Sequence, residues 1–138
     1  MRAALVALAL LAVAGCKKET KPLDPQPPFT MENGVQVRVL RPGDGDVANK
    51  GDKITIHFVG KLTDGGVFDS SRARGEPMKF WVGEGQVVEG LDQALLGVRE
   101  GELRTVTVPA KLGYGMEAKP NIPANSTLIF EVELLDVR

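Results

Sequence analysis

The chain has 138 residues, with 17 basic and 18 acidic side chains well mixed and a formal net charge of −1. That length holds one domain with appendages, and the absence of a basic stripe for phosphates argues against nucleic-acid binding. Sixteen glycines, nine prolines and 43% hydrophobic content favour a turn-rich β fold with a modest core over a helical bundle.

Arg2 precedes an uninterrupted apolar run from Ala3 to Ala14. The run is shorter than the ~20 residues a membrane crossing needs, so residues 1–15 read as a signal peptide. Val13-Ala14-Gly15-Cys16 resembles a bacterial lipobox. That resemblance implies cleavage before Cys16 and lipid on its thiol; a secreted protein with a free cysteine is the alternative. Two or three acyl chains anchor stably where one does not. A lipidated Cys16 is then neither disulfide partner nor metal ligand nor catalytic thiol. The expected location is the bacterial cell envelope, membrane-anchored and facing the periplasm or the exterior. From Lys17 to Pro28 the chain carries four prolines and several charges and almost no apolar residues, too little to order itself. Residues 16–32 are expected to be the lipidated Cys16 and a proline-rich tether, whose Lys17–Pro28 stretch reaches about 40 Å at about 3.1 Å per residue. The domain is assigned to residues 33–138.

Val35, Val37 and Val39 alternate with polar residues, as in a half-buried strand, and Pro42-Gly43-Asp44-Gly45-Asp46 turns the chain. Ile54, Ile56, Phe58 and Leu62 share one strand face, opposite Thr55, His57, Val59 and Lys61. Asp64-Gly65-Gly66 is a turn leading to Val67-Phe68-Asp69, and Lys79-Phe80-Trp81-Val82 is another short strand. Val87, Val88, Leu91, Ala94, Leu95 and Val98 have the period of one short amphipathic helix, stopped by Gly97 and Gly101. Arg104, Val106 and Val108 form a strand ended by Pro109. The Gly- and Pro-rich stretch Ala110–Ser126 is a long loop. Leu128, Phe130, Val132 and Leu134 alternate through the clearest strand of all. The sum is α+β: an antiparallel sheet of about five strands packed on one short helix.

One acid beside an aromatic, Phe68-Asp69, recurs in spirit in the apolar stretches around Val87-Val88-Glu89-Gly90-Leu91, Gly113-Tyr114-Gly115, Ile122-Pro123 and Phe130. Together they offer an apolar pocket with one carboxylate and one phenol. Each residue also has a plainer reading. Phe68 and Phe130 serve a core, Asp69 caps a turn before Ser70-Ser71, Tyr114 anchors a loop, and His57 packs on the far strand face. One histidine and one cysteine make no metal site. Gly83-Glu84-Gly85 lacks the lysine and Ser/Thr of a phosphate loop, and Asn125-Ser126-Thr127 is a short glycosylation sequon of a kind that arises by chance.

From Gly34 to Val137 the chain resembles the FKBP-type peptidyl-prolyl cis-trans isomerases. The matching pieces are Gly34-Val35, Pro42-Gly43-Asp44-Gly45, Ile56-His57-Phe58-Val59-Gly60, Asp64-Gly65, Phe68-Asp69-Ser70-Ser71-Arg72, Pro77, Phe80, Gly83, Val87-Val88, Gly90-Leu91, Gly101, Tyr114-Gly115, Ile122-Pro123 and Leu128 to Leu135. The resemblance implies a bent sheet wrapped around one short helix, with a prolyl pocket between them. It places pocket residues at Phe58, Phe68, Asp69, Met78, Val87, Val88, Leu91, Tyr114, Ile122 and Phe130. Asp69, Tyr114, Val88 and Phe130 would act on the bond, with the Val88 N–H and the Tyr114 hydroxyl receiving substrate carbonyls, and Leu91 would form the floor. Phe58 stands where many members have tyrosine, Met78 replaces an aromatic and Leu91 a tryptophan, which leaves macrolide-inhibitor affinity open. The resemblance implies no cofactor; the expected partners are proline-containing polypeptides, and the expected state is a monomer. Isomerisation needs neither nucleophile nor metal. The competing reading is a binding module or chaperone whose isomerase chemistry has faded.

Overall fold

The computed structural model describes residues 27–138; the expected signal peptide, Cys16 and the part of the expected tether up to residue 26 lie outside the described residues. Seven strands form one antiparallel sheet: β1 (Phe29–Thr30), β2 (Gln36–Arg41), β3 (Lys53–Leu62), β4 (Val67–Ser70), β5 (Met78–Trp81), β6 (Leu103–Val108) and β7 (Leu128–Val137). Their order is β1-β2-β6-β7-β3-β4, with β5 also on β3. The helices are α1 (Ser71–Arg74) and α2 (Glu89–Ala94), and a 3-10 turn over Ala110–Leu112 follows β6.

The sheet has more strands than the five expected, for two reasons. At one edge β5 and β4 lie end to end along the single long strand β3, β5 pairing with Lys53 to Ile56 and β4 with Val59 to Lys61. At the other edge β1 pairs Phe29 with Val37 and Thr30 with Gln36, so strand pairing starts before Asn33, within the stretch assigned to the tether. Register shifts at Val39/Arg41, Thr55/Ile56 and Gly60/Lys61 are bulges of the kind that bend strands.

The period-two reading of β3 holds from Ile54 to Gly60, whereas Leu62, expected on the same face, is only half-buried. On β3, Ile54, Ile56, Phe58 and Gly60 are buried, while Thr55, His57 and Val59 are only half so. On β7, Leu128, Phe130, Val132 and Leu134 face inward. The α2 surface that meets them carries Leu91 and Ala94, followed by Leu95 and Val98, all buried. The helix is shorter than its apolar period, because Val87 lies in a bend before it and Val88 is its N-cap. Gly90 lies so close to β6 that a Cβ there would stand 2.5 Å from Val108 Cγ1. Glycine thus lets the helix settle into the sheet.

Arg104 shares the buried row of β6 with Val106 and Val108. Its buried guanidinium ion-pairs with Glu102, and Nη1 donates to the Ala94 carbonyl at 2.7 Å. The cation thereby satisfies a carbonyl at the α2 C-terminus, where helices leave acceptors without partners.

Candidate active site

Between the two short strands on β3 is a gap at Phe58, whose N–H no strand can bond. The hydroxyl of Ser71, fully buried on α1, fills it: Oγ accepts the Phe58 N–H at 2.8 Å and lies 2.9 Å from His57 Nδ1. A buried amide is thus satisfied by a side chain in place of a strand. His57 accordingly packs against Ser71. Ser70 caps α1, its Oγ accepting the Ala73 N–H. The cap anticipated at Asp69 therefore belongs to its neighbour, although Asp69 Oδ1 does accept the Ser70 N–H at 2.8 Å.

These anchors hold one wall of a cavity of about 200 Å³ beside the α2 N-terminus. Phe58, Phe68 and Phe130 supply its aromatic wall, with Phe68 edge-on to Phe130 at 5.7 Å between ring centres and Phe58 tilted against Phe130 at 6.3 Å. Edge-to-face packing of this kind fixes rings at defined angles. Leu91, Met78, Val87 and Val88 complete the apolar lining, and Asp69 and Tyr114 reach it as the carboxylate and phenol. Ile122 is the exception among the expected pocket residues: it is buried in the core and does not line the cavity. Gln86, not foreseen from the sequence, does line it.

The polar groups are few. Asp69 is ion-paired with Arg74, whose guanidinium also lies 5.7 Å over the Phe58 ring. Both contacts of Asp69 use Oδ1, so Oδ2 has no partner among the described residues. The Val88 N–H and the Tyr114 hydroxyl likewise make no hydrogen bond among the described residues, although the Val88 carbonyl accepts from Asp92 N–H. Tyr114 is partly exposed, with Lys119 Nζ 5.5 Å over its ring.

The Val87-Val88 wall is held from behind. Asp92 on α2 is buried, and its two oxygens accept the N–H groups of Gly83 at 2.7 Å and Gly85 at 2.9 Å. Both glycines have left-handed backbones, with φ of 84° and 75°, which other residues rarely adopt. Nothing in the one-dimensional pattern marked Asp92, because its partners lie in a turn seven and nine residues away.

The sequence model of the family described as FKBP-type peptidyl-prolyl cis-trans isomerase matches residues 45–135. The Arabidopsis thaliana protein named peptidyl-prolyl cis-trans isomerase FKBP15-2 is 44% identical, over 96% of this chain and 78% of that protein. FK506-binding protein 1A of Neurospora crassa is 46% identical over 77% of this chain and 90% of its own length. Among solved structures, that of AtFKBP13 superposes with a TM-score of 0.76 at 33% identity, covering 82% of this chain and all of that one. The fold and pocket therefore define an FKBP-like domain. The chain belongs to the FKBP-type peptidyl-prolyl cis-trans isomerase family, and its enzyme class is isomerase.

Proposed function

We propose that the cavity between α2 and the sheet is the site at which this protein rotates X–Pro bonds, and that its clients are exported or envelope polypeptides. Resonance gives the amide C–N bond a rotation barrier of about 18–20 kcal/mol, and X–Pro exchange takes tens to hundreds of seconds unaided. The planar amide is more polar than the twisted one, because resonance places charge on oxygen and nitrogen. An apolar wall of Phe68, Val87, Leu91 and Phe130 disfavours the planar ground state relative to the rotated transition state. The Val88 N–H and Tyr114 hydroxyl, unpartnered among the described residues, are available to a substrate carbonyl, and Asp69 orients the amide dipole without taking a proton. A thousandfold acceleration asks for about 4 kcal/mol of this differential binding.

The observation that carries this reading is the coincidence of an apolar cavity with a carboxylate oxygen, an N–H and a phenol that have no partners among the described residues. The test is a protease-coupled proline-peptide assay on wild type, Asp69→Ala and Phe130→Ala. Near-wild-type turnover in both variants contradicts the site. Phe58 without a hydroxyl and Leu91 on the floor favour the rival reading, a binding module without turnover; acceleration by wild type excludes it. The same pocket is proposed to accept macrolide inhibitors; the Neurospora relative is named an FK506-binding protein.

The lipobox-like Val13 to Cys16 and the proline-rich segment support an envelope lipoprotein with the domain held off the membrane. Cys16→Ser is expected to move the protein out of the membrane fraction; unchanged retention overturns the anchor.

A further inference from the structure

Besides Asp69, Gln86 is a cavity residue whose side chain is both fixed and half unused. Its Oε1 accepts the backbone N–H of Trp81 at 2.8 Å. A backbone N–H only donates, so the carboxamide orientation is forced: oxygen toward Trp81, nitrogen away from it. Nε2 has no partner among the described residues, and Gln86 is exposed while lining the cavity. Trp81 ends β5, whose inner edge is paired to β3. The glutamine therefore bonds the outer edge of that strand and keeps a preoriented N–H₂ at the pocket wall, two residues before the Val88 N–H. We infer that Gln86 is a further substrate-binding residue, donating from Nε2 to a main-chain carbonyl that flanks the prolyl residue but lies outside the rotating amide.

This inference rests on the isomerase reading of the cavity. A carbonyl outside the rotating bond keeps its charge during rotation, so the contact is equally strong in ground and transition states. Such uniform binding acts on KM and leaves kcat in place. The peptide's flanking backbone, beyond the prolyl ring, then adds to recognition.

The discriminating variant is Gln86→Glu in the full chain. A carboxylate keeps an acceptor for the Trp81 N–H but removes the donor. Uncharged blocked X–Pro tetrapeptides at high ionic strength limit repulsion by the new charge. Trp81 is the sole tryptophan, so its emission reports whether the strand-edge bond survives. The expected result is a KM raised about 2- to 10-fold, the size of one neutral hydrogen bond, with kcat and Trp81 emission unchanged. Gln86→Met, which loses both ends, shifts the emission as well. An unchanged KM in Gln86→Glu overturns the inference, as does a loss confined to kcat or accompanied by shifted emission. Inactive wild type instead defeats the isomerase reading itself, so the two failures are distinguishable.

Discussion

Phe68 lies across Gly60 so closely that a Cβ on the glycine would stand 2.5 Å from the ring's Cζ and 2.6 Å from Cε1. Gly60 pairs with Phe130 on β7 and with Asp69 on β4. One missing side chain therefore lets an aromatic ring seat between the acid and the second phenylalanine of the pocket. Gly60→Ala is expected to push Phe68 into the cavity and to cost about 1–3 kcal/mol by overpacking. Urea unfolding measures the stability loss, and kcat/KM on a proline peptide should fall with it.

Asp92→Ala removes both acceptors that hold Gly83 and Gly85. A hydrogen bond to a charged group contributes about 1.5–3 kcal/mol, and the N–H groups of half-buried Gly83 and exposed Gly85 would lose their acceptor. The expected outcome is a stability loss of at least that size. Hydrogen exchange should speed up across residues 83–88, and peptide binding should weaken because the Val87-Val88 wall loosens. Exchange unchanged in that segment would contradict the clamp.

Arg74→Ala should behave oppositely. The Asp69–Arg74 pair is half exposed, and exposed pairs contribute at most about 1 kcal/mol. Stability should hardly move, whereas Asp69 loses its side-chain partner and Phe58 the cation above its ring. A several-fold fall in kcat/KM with a nearly unchanged urea midpoint is the expected signature.

Glu133 on the outer sheet face is bonded by Arg41 at 2.7 Å and by Arg72. The Arg41 hydrogen bond lowers its pKa below the ordinary value of 4.5, against the opposing effect of burial and with help from Arg72. A carboxylate with a depressed folded-state pKa stabilises the fold above its unfolded value, and that stability is lost as pH falls through the folded value. Wild type should therefore exceed Glu133→Gln in urea midpoint at pH 7. The gap should close as pH drops below about 4.5, a comparison that urea melts across an acid series make directly.

The long strands were readable from local alternation, because a half-buried strand writes its period into the chain. Lys53–Leu62 and Leu128–Val137 show their buried rows in the order the sequence carries them. The pocket residues were readable too, through the family pattern of Phe58, Phe68, Asp69, Val87, Val88, Leu91, Tyr114 and Phe130, nine of ten expected positions lining one cavity once Met78 is included. Ile122 was not separable from them, since an apolar residue bound for the core looks the same as one bound for a pocket wall.

Other features exist only after folding. Ser71 replaces a missing strand at Phe58, Asp92 clamps a glycine turn, and Arg104 closes the end of α2. Phe29–Thr30 joins the sheet although its surroundings read as tether. Each is a hydrogen bond between groups that no periodicity brings together, satisfied only when separate elements pack. Alternation records which face a strand buries; the polar partners that hold those faces in place depend on the packed geometry alone.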